Sequence, residues 1–392
     1  MNILYTSTAY PPSTGGAQML HHMMAQSLKE QHRIQVFSHW EENRTDWLLG
    51  TTINAPKLKH DYVIDDINVH RLGLTLREKA NLLPWLPLYY PLMSVALPRV
   101  SSCIHNHILP YAEKADLIHN MRIGREGISY ASLKTARDHN IPFVLTPVHH
   151  PRWIGWRYKE YHKLYRQANA VIALTPTEKE TLIKLGVSAK RIHVTGTGPV
   201  ISSTAFPNSF LTKNNISNPF ILFLGQHYKY KGYRQVLEAT KLVWKKFPDI
   251  NFVFIGPAVK ESEDAFKLFK DPRIKRLGKV TLQEKTNALA ACRLLCVPSM
   301  QESFGGVYTE AWEFEKPVIG GRIPAISDVI TEGIDGFLVE QESSEIADRI
   351  IHLLKHPIEA HAMGKAGKQK VESKYSWKKL ASTIEQVYFS LI

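Results

Sequence analysis

The chain has 392 residues, enough for two domains with separate cores, which excludes a peptide hormone or a small binding module. Hydrophobic residues make up 44% of the sequence and charged residues 22%, and this balance excludes a mostly disordered chain. The 3 cysteines include no Cys-x-x-Cys pair, which excludes a disulfide framework or a zinc ribbon and indicates a reducing compartment.

The beginning of the chain predicts a cytoplasmic protein. Residues 1–5 carry no basic segment and run directly into an apolar strand, which is not the pattern of a signal peptide. The longest uncharged run, residues 81–98, contains four prolines that would interrupt a helix. We therefore expect no transmembrane span there.

Short apolar runs alternate with amphipathic stretches through the first half of the chain, which is typical of strand–helix units that build a parallel sheet. The predicted elements are a strand at 3–6, a helix over 18–29, and strands at 34–38, 117–119, 143–146 and 171–174. We assign residues 1–200 to one doubly wound, Rossmann-like domain.

Residues 201–219 are rich in turn formers and lack periodicity, so they are predicted to form a linker. The alternation then restarts with strands at 220–224, 252–255, 294–297 and 318–319 and helices over 233–247, 307–314 and 345–356. We assign residues 220–375 to a second Rossmann-like domain, and predict that 376–392 form a closing helix that crosses back to the first. The predicted fold class is α/β, with two doubly wound domains facing a central cleft, and ligands are expected beyond the carboxyl ends of the strands.

Two glycine-containing loops follow predicted strands. Gly15 and Gly16 stand directly before a helix, where missing side chains and free backbone amides suit an anion, although a plain turn has the same pattern. Gly225 opens the second domain, and Lys229 and Lys231 follow it. Either lysine could neutralise a phosphate or remain a surface charge.

A third loop is the most informative. Glu302 lies in the loop and Glu310 about one turn inside the next helix, with Phe304, Gly305 and Gly306 between them at the helix start. Carboxylates accept hydrogen bonds from vicinal hydroxyls, and helix-terminal amides prefer phosphate. A nucleotide sugar offers a sugar, a diphosphate and a ribose, so it suits this combination.

The sequence resembles the retaining glycosyltransferases of family 4, whose GT-B fold has two Rossmann-like domains. The hallmark is a glutamate, seven residues and a second glutamate, with Phe-Gly after the first, here Glu302 to Glu310. The resemblance extends over 313–325 and 332–339 and covers essentially the whole chain. The first domain would then face the acceptor and the second would bind the nucleotide sugar.

The resemblance implies a role for each matching residue. Glu302 would contact the transferred sugar, Glu310 the ribose and Lys231 the diphosphate. The residues implied to bind the donor are Gly15, Gly16, Gln226, Lys231, Val280, Glu302, Phe304, Gly305, Gly306, Val307 and Glu310. Val280 falls where the family holds the base. The family usually has arginine where this chain has Gln226, so diphosphate neutralisation would rest on Lys231 or be shared with Lys229.

A histidine pair ends the segment after strand 143–146, where the family places a histidine near the reacting carbon of the sugar. We favour His150, with His149 as the alternative, so the implied catalytic residues are His150, Glu302 and Lys231. His119 is assigned to the core instead.

We expect no cofactor and no metal ion. The sequence lacks the Asp-x-Asp pair with which other glycosyltransferases hold a divalent cation. Asp65 and Asp66 are predicted to form a solvated turn. The remaining candidate ligands, His105, His107, Cys292 and Cys296, fit an amphipathic helix and the flanks of a buried strand.

Positive charge points to possible partners. The net charge is +13, and residues 152–191 contain nine bases against three acids, with aromatic residues between them. Such a patch suits nucleic acid, an anionic membrane, a phosphorylated ligand or solvent alone. With the apolar residues 82–97 it predicts peripheral contact with the inner face of an anionic membrane, unless the apolar spacing of 92–108 is buried.

The leading hypothesis is a retaining, metal-independent hexosyltransferase of glycolipid or polysaccharide synthesis. Its donor would be a nucleotide sugar, UDP-sugar in preference to GDP-sugar, and its acceptor a glycan or a lipid-linked hydroxyl. Two alternatives use the same fold, a nucleotide-sugar epimerase and a phosphorylase. A basic nucleic-acid-binding protein is the alternative from another class, and we expect no nucleic-acid partner.

Overall fold

The computed structural model describes residues 1–13, 15–40, 47–121, 127–150 and 152–392, without the side chains of Trp40 and Trp47. The chain divides into two compact units. Unit 1 comprises Met1–Gly196 and Trp377–Ile392, and unit 2 comprises Thr197–Ser376.

Unit 1 is built on one sheet. Its described strands are β1 (Asn2–Ala9), β2 (Arg33–Trp40), β3 (His60–Ile64), β4 (Ile67–Arg71), β5 (Leu117–Met121), β6 (Phe143–Thr146), β7 (Ala170–Ala173) and β8 (Ile192–Val194). The spatial order is β3-β4-β2-β1-β5-β6-β7-β8, and of the described strand pairs only β3–β4 is antiparallel. Strand order reverses between β1 and β5, so the loop after β1 lies at a topological switch point.

Helices of unit 1 cover this sheet. They are α1 (Gly16–Leu28), α2 (Trp47–Gly50), α3 (Leu76–Leu82), α4 (Met93–Ala112), α5 (Ile128–Asp138), α6 (Lys159–Gln167) and α7 (Pro176–Lys184). Val100, Ile104 and Ile108 of α4 recur every fourth residue and are buried, so this face belongs to the core.

Unit 2 contains a parallel sheet. Its strands are β9 (Phe220–Leu224), β10 (Asn251–Ile255), β11 (Ile274–Gly278), β12 (Leu294–Val297), β13 (Val318–Gly321) and β14 (Gly336–Val339), in the order β11-β10-β9-β12-β13-β14. Strand order reverses between β9 and β12, which pair at Ile221 and Leu294. The loops that leave β9 and β12 therefore start side by side at the carboxyl edge of the sheet, where ligands bind in such folds.

The helices of unit 2 are α8 (Pro207–Lys213), α9 (Tyr233–Val243), α10 (Lys260–Lys267), α11 (Leu282–Ala291), α12 (Gly306–Trp312), α13 (Pro324–Ser327), α14 (Ser343–Lys355) and α15 (Pro357–Lys370). Helix α11 begins at a capping box in which Thr281 and Glu284 bond to each other's backbone amides. This box fixes the start of a helix that lines the candidate site.

The last helix, α16 (Trp377–Phe389), belongs to unit 1 and packs against α1. The hydroxyl of Tyr388 lies 3.0 Å from the Tyr5 hydroxyl and 2.6 Å from His119 Nδ1, while His119 Nε2 lies 2.8 Å from Thr146 Oγ1. His119 is fully buried, so its assignment to the core is confirmed.

The segment predicted as a linker, 201–219, is instead part of unit 2. Helix α8 lies within it and packs against α11. The backbone amides of Ser202 and Phe206 donate to Thr286 Oγ1 at 2.9 Å and Asn287 Oδ1 at 2.7 Å. Phe210 is 2% exposed and anchors α8. The many turn-forming residues around it hide this apolar contact from a prediction based on sequence patterns.

Strands β3, β4, β8, β11 and β14 are absent from the sequence prediction. Strands β3 and β4 form an edge hairpin that turns at Asp65 and Asp66, which have φ of +48° and +64° and are exposed, as expected for a solvated turn. Strand β8 has 3 residues and β14 has 4, too few for a clear alternation.

Two further features of the described residues bear on the sequence predictions. Among them, no helix combines the length and the apolar character needed to cross a bilayer. Cys292 and Cys296 are buried free thiols beside and within β12, as their flanking sequence predicts.

Candidate functional site

Glycines keep the carboxyl edge of the unit 2 sheet open. Gly225 and Gly256 follow β9 and β10, with φ of +153° and +143°, in a region that favours glycine. A Cβ atom on Gly256 would lie 2.0 Å from the Gly225 carbonyl oxygen, whereas one on Gly225 would meet nothing within 4 Å. The space next to Gly225 is therefore free of protein atoms.

The loop after β9 carries Lys231 to the loop after β12. Lys231 ends a short 3-10 turn, and Gly232, with φ of +81°, starts α9. A Cβ atom on Gly232 would come within 2.7 Å of Pro298 Cγ, so this close approach of the two loops requires glycine.

Lys231 and Glu302 form an ion pair at this junction. Lys231 Nζ donates to Glu302 Oε1, and their side chains are 19% and 13% exposed. The structure thus joins two residues that the sequence places 71 positions apart. A ligand that binds both would exchange this contact for contacts with an anion and with hydroxyl groups.

Glu310 is buried in α12 and is only partly satisfied. Lys285 Nζ on α11 donates to Glu310 Oε1 at 2.7 Å. Glu310 Oε2 is buried and has no hydrogen-bond partner of normal geometry among the described residues. Burial raises the pKa of Glu310. The charge of Lys285, the hydrogen bond from Lys285 and the backbone amide of Val200 each lower this pKa in part. This carboxylate has an unused acceptor for a ligand hydroxyl.

The segment between the two glutamates forms the start of α12. Gly305 has φ of +88°, and a Cβ atom there would lie 2.4 Å from the Tyr308 ring. Phe304 is buried with its ring edge-on to Tyr375 at 5.2 Å, whereas Gly306 and Val307 are half-buried. The first amides of a helix have no partner within it, so the backbone at this point can bind an anion.

The other predicted donor-site residues of unit 2 lie near its surface. Gln226 and Lys229 are exposed, and Val280 is half-buried between β11 and α11. Their implied roles stay predictions.

In unit 1, the loop after β1 leads into α1 at Gly16. A Cβ atom on Gly16 would meet nothing within 4 Å, and one on Gly15 would meet only the flexible Gln18 side chain. Thr14 of the same motif lies outside the described residues. The open backbone at Gly16 is compatible with a ligand.

The histidine pair follows β6 in unit 1. His149 is 5% exposed, with its ring 5.9 Å from that of Trp153 and 6.0 Å from that of Tyr165. His150 is half-buried, and its Nδ1 lies 3.3 Å from the Arg152 amide. Pro151 lies outside the described residues. The more accessible His150 remains the better candidate for ligand contact.

Sequence reasoning does not find three residues that organise these loops. Lys285 pairs with Glu310, and Glu178 accepts a hydrogen bond from the His149 amide. Gln341 Nε2 donates to the carbonyls of Tyr230 at 2.9 Å and Pro298 at 2.8 Å, tying the two loops together. A lysine, glutamate or glutamine on a helix or loop has no local signal for such a partner.

One group of described residues has ligand atoms close enough together for a metal ion. It consists of His352, His356 and Glu359, at the junction of α14 and α15. His352 Nε2 already lies 3.0 Å from Glu359 Oε1, and His356 and Glu359 are exposed. None of the three residues of this surface cluster is among the candidate donor-site residues.

Two doubly wound α/β units, with ligand-compatible loops at the carboxyl edge of the second, define a protein of the GT-B fold class. Anabaena HepE, in a crystal structure with UDP and glucose, has this fold. Its TM-score is 0.75 at 19% sequence identity, and the match covers 99% of each chain. The predicted fold class is confirmed.

Sequence matches identify the family. Residues 209–370 match the family of glycosyl transferases group 1, and residues 14–198 match the glycosyl transferase 4-like domain. The chain belongs to the group 1 glycosyltransferases of the family 4 type, as the resemblance indicates.

Two relatives show the extent of the similarity. An uncharacterized glycosyltransferase of Methanocaldococcus jannaschii is 29% identical over 175 residues, or 44% of this chain and 48% of that protein. The sulfoquinovosyl transferase SQD2 of Arabidopsis thaliana is 26% identical over 323 residues, or 76% of this chain and 60% of that protein. The match thus spans about half the length of these relatives.

Proposed function

We propose that this protein transfers a sugar from a nucleotide diphosphate sugar to an acceptor hydroxyl with retention of anomeric configuration. The carrying observation is Glu310 Oε2, a buried acceptor with no hydrogen-bond partner of normal geometry among the described residues, which suits a hydroxyl of the nucleotide ribose. The Lys231–Glu302 pair lies on the loops that leave β9 and β12. The UDP and UDP-glucose complexes of HepE support a UDP-sugar as the donor.

The proposed reaction needs no nucleophile from the protein. The bond from the anomeric carbon to the diphosphate oxygen breaks as the acceptor oxygen bonds to the same face, and the acceptor proton passes to the departing diphosphate. Lys231 and the amides at Gly306 and Val307 offset the charge that develops on the diphosphate. Glu302 orients the sugar through its hydroxyls. Because these groups supply the electrostatic stabilisation, we propose that the activity persists in EDTA.

His150 is assigned a contact with a hydroxyl of the donor sugar or of the acceptor, where an imidazole can donate or accept a hydrogen bond. His149 is buried among aromatic rings and is assigned a supporting role. Both roles stay predictions.

Binding of UDP, GDP and ADP, measured by calorimetry, tests the donor site. Glu310→Gln should weaken UDP binding by about 10- to 100-fold, because the ribose loses a hydrogen bond to a charged acceptor. Lys285→Met should also weaken it, because Glu310 loses the cation that pairs with it and lowers its pKa. Glu313→Gln, just beyond α12, is the control and should retain the affinity of the unaltered protein. UDP binding that is equal in all four proteins would reject the assignment of Glu310.

Turnover of UDP-glucose then tests the reaction class. A retaining transferase gives UDP and a glycoside whose anomeric configuration, read by NMR, matches that of the donor. Formation of an epimer without any acceptor would favour the epimerase alternative. A sugar phosphate formed only with inorganic phosphate would favour a phosphorylase.

We further propose that unit 1 meets its acceptor at an anionic lipid surface. Leu83, Leu92, Val95, Ile154 and Trp156, the apolar patch, are 49% to 72% exposed. The Arg157 guanidinium lies 5.5 Å from the Tyr90 ring centroid and 5.3 Å from that of Trp156, which joins the two segments that form the patch.

Charge at the apolar patch favours lipid. Four exposed basic residues lie close in sequence to the residues of the apolar patch, namely Arg99, Arg152, Arg157 and Lys159. Each base near an anionic surface contributes about 1 kcal/mol to binding. One face of α4 is buried in the core and is not available to lipid. Leu92 and Val95, at the start of α4, remain exposed, so part of the predicted lipid-binding segment is still accessible.

A further inference from the structure

Glu178 makes contacts that its position in a helix does not require. It lies in the first turn of α7, and its amide donates to Thr175 Oγ1 at 3.1 Å, as in a capping box. A capping-box glutamate would return to the amide of the N-cap residue. Here Oε2 accepts from the Leu174 amide at 2.7 Å, and Oε1 accepts from the His149 amide at 2.6 Å.

The second of these bonds crosses to another part of unit 1. His149 follows β6, 29 residues before Glu178. Glu178 is 5% exposed, so its carboxylate serves backbone amides rather than solvent. Burial raises the pKa of Glu178 to about 7, and the amides of Leu174 and His149 lower it in part.

The backbone that receives this bond is strained. Val148 has φ of +45°, in the left-handed region where a β-branched residue is rare. Such a conformation is unfavourable for a β-branched residue and persists only where the surrounding structure holds it. Glu178 bonds to the amide directly after Val148, and the Trp153 amide donates to the His150 carbonyl at 2.8 Å on the far side.

We propose that Glu178 is a positioning residue, which fixes the Val148–His149 turn and thereby the orientation of His150. The inference rests on the role proposed for His150. It predicts an effect on turnover without an effect on nucleotide affinity, since the proposed nucleotide contacts lie in unit 2.

Glu178→Gln tests this proposal at pH 8.5, where the carboxylate is charged. The amide nitrogen of glutamine cannot accept, so one backbone bond is lost. Glu180→Gln is the control, on the same helix and exposed. We expect faster hydrogen exchange in the peptide of residues 146–150, a roughly tenfold slower release of UDP from UDP-glucose and unchanged affinity for UDP.

A second substitution separates positioning from general stability. Val148→Gly removes the strain, because glycine adopts positive φ readily. Glu178→Gln should therefore reduce turnover less in the Val148→Gly background, and this double variant also serves if Glu178→Gln alone does not fold. Equal losses in both backgrounds, or faster exchange with normal turnover, would overturn the positioning role.

The exchange measurement is independent of the proposed reaction. If the unaltered protein releases no UDP from any donor, the proposed function fails, yet exchange still shows whether Glu178 holds the turn. Unchanged exchange in Glu178→Gln would overturn the inference whatever the activity.

Discussion

Charged side chains at the candidate donor site are paired before any ligand binds. The side chains of Lys231, Glu302, Lys285 and Glu310 are each less than one-fifth exposed. A partly buried charge without a partner is costly, so each ion pair stabilises the two side chains that form it. A nucleotide sugar would have to supply equivalent partners, a diphosphate for the cation and hydroxyls for the carboxylates.

Lys231 and Lys229 make a matched pair for substitution, since both lie in the same 3-10 turn. Lys231→Met should weaken UDP binding by about 10- to 100-fold through loss of a charged hydrogen bond. Lys229→Met should change it by less than about twofold, because Lys229 is exposed. Titration calorimetry would decide, and a larger effect of Lys229 would mean that it compensates for the glutamine at 226.

Glu178 should make the stability of unit 1 depend on pH. Its pKa rises from the ordinary 4.5 to about 7 on folding, so the folded state binds the extra proton between these values. The contribution of Glu178 to the free energy of unfolding is about 3 kcal/mol at low pH. It is fully present below pH 4.5 and is lost as the pH rises through 7.

Urea unfolding of the unaltered protein and of Glu178→Gln at pH 5 and pH 8 checks this sign. The free energy of unfolding of the unaltered protein should fall by about 3 kcal/mol relative to that of the variant as pH rises. The two proteins differ only at residue 178, so the contributions of all other groups cancel in the comparison. Parallel pH dependences would show that Glu178 has an ordinary pKa.

At the level of elements, the closing helix α16 completes unit 1. Its Tyr388 hydroxyl lies within hydrogen-bond distance of Tyr5 on β1 and His119 on β5. A helix at the end of the chain thus supplies a buried polar group to the centre of a sheet formed near its beginning. The integrity of the first unit should depend on residues after the second.

Substituting Tyr388→Phe should lower the free energy of unfolding by about 2 to 4 kcal/mol, because His119 Nδ1 and the Tyr5 hydroxyl lose a buried partner. Phe389→Leu, at a residue that is 61% exposed, should change it by less than about 0.5 kcal/mol. Urea denaturation of both variants provides the measurement. If Tyr388→Phe is as stable as the unaltered protein, water must replace the hydrogen bonds to His119 and Tyr5.

At the level of the whole molecule, the apolar patch and the positive net charge together favour association with anionic lipid. Sedimentation with phosphatidylglycerol vesicles should deplete the protein from the supernatant at low salt and less so at moderate salt, whereas neutral vesicles should not. Ile154→Asp should reduce the bound fraction. Ile358→Asp, at an exposed isoleucine of unit 2, should not. Equal recovery throughout would reject lipid docking.

Much of the fold could be predicted from local patterns. The sequence predicts the strands at 143–146, 220–224 and 294–297 with the bounds that the structure shows, because fully buried strands are continuous apolar runs. The hairpin of β3 and β4 and the short β8 lack such runs. The sequence predicts a linker where helix α8 lies, because the turn-forming residues outnumber its one buried aromatic residue, Phe210.

Sequence alone predicts the two-unit α/β architecture, the family and the candidate donor residues Glu302, Glu310 and Lys231. These depend on hydrophobic periodicity and on motifs that each lie within one loop and the helix that follows it. The partners of these residues are visible only in the folded structure. Lys285 meets Glu310 across 25 residues, Gln341 reaches Tyr230 across 111, and Glu178 reaches His149 across 29. Such contacts arise because packing of the sheet brings distant loops together, and no local pattern records which side chains will then face each other.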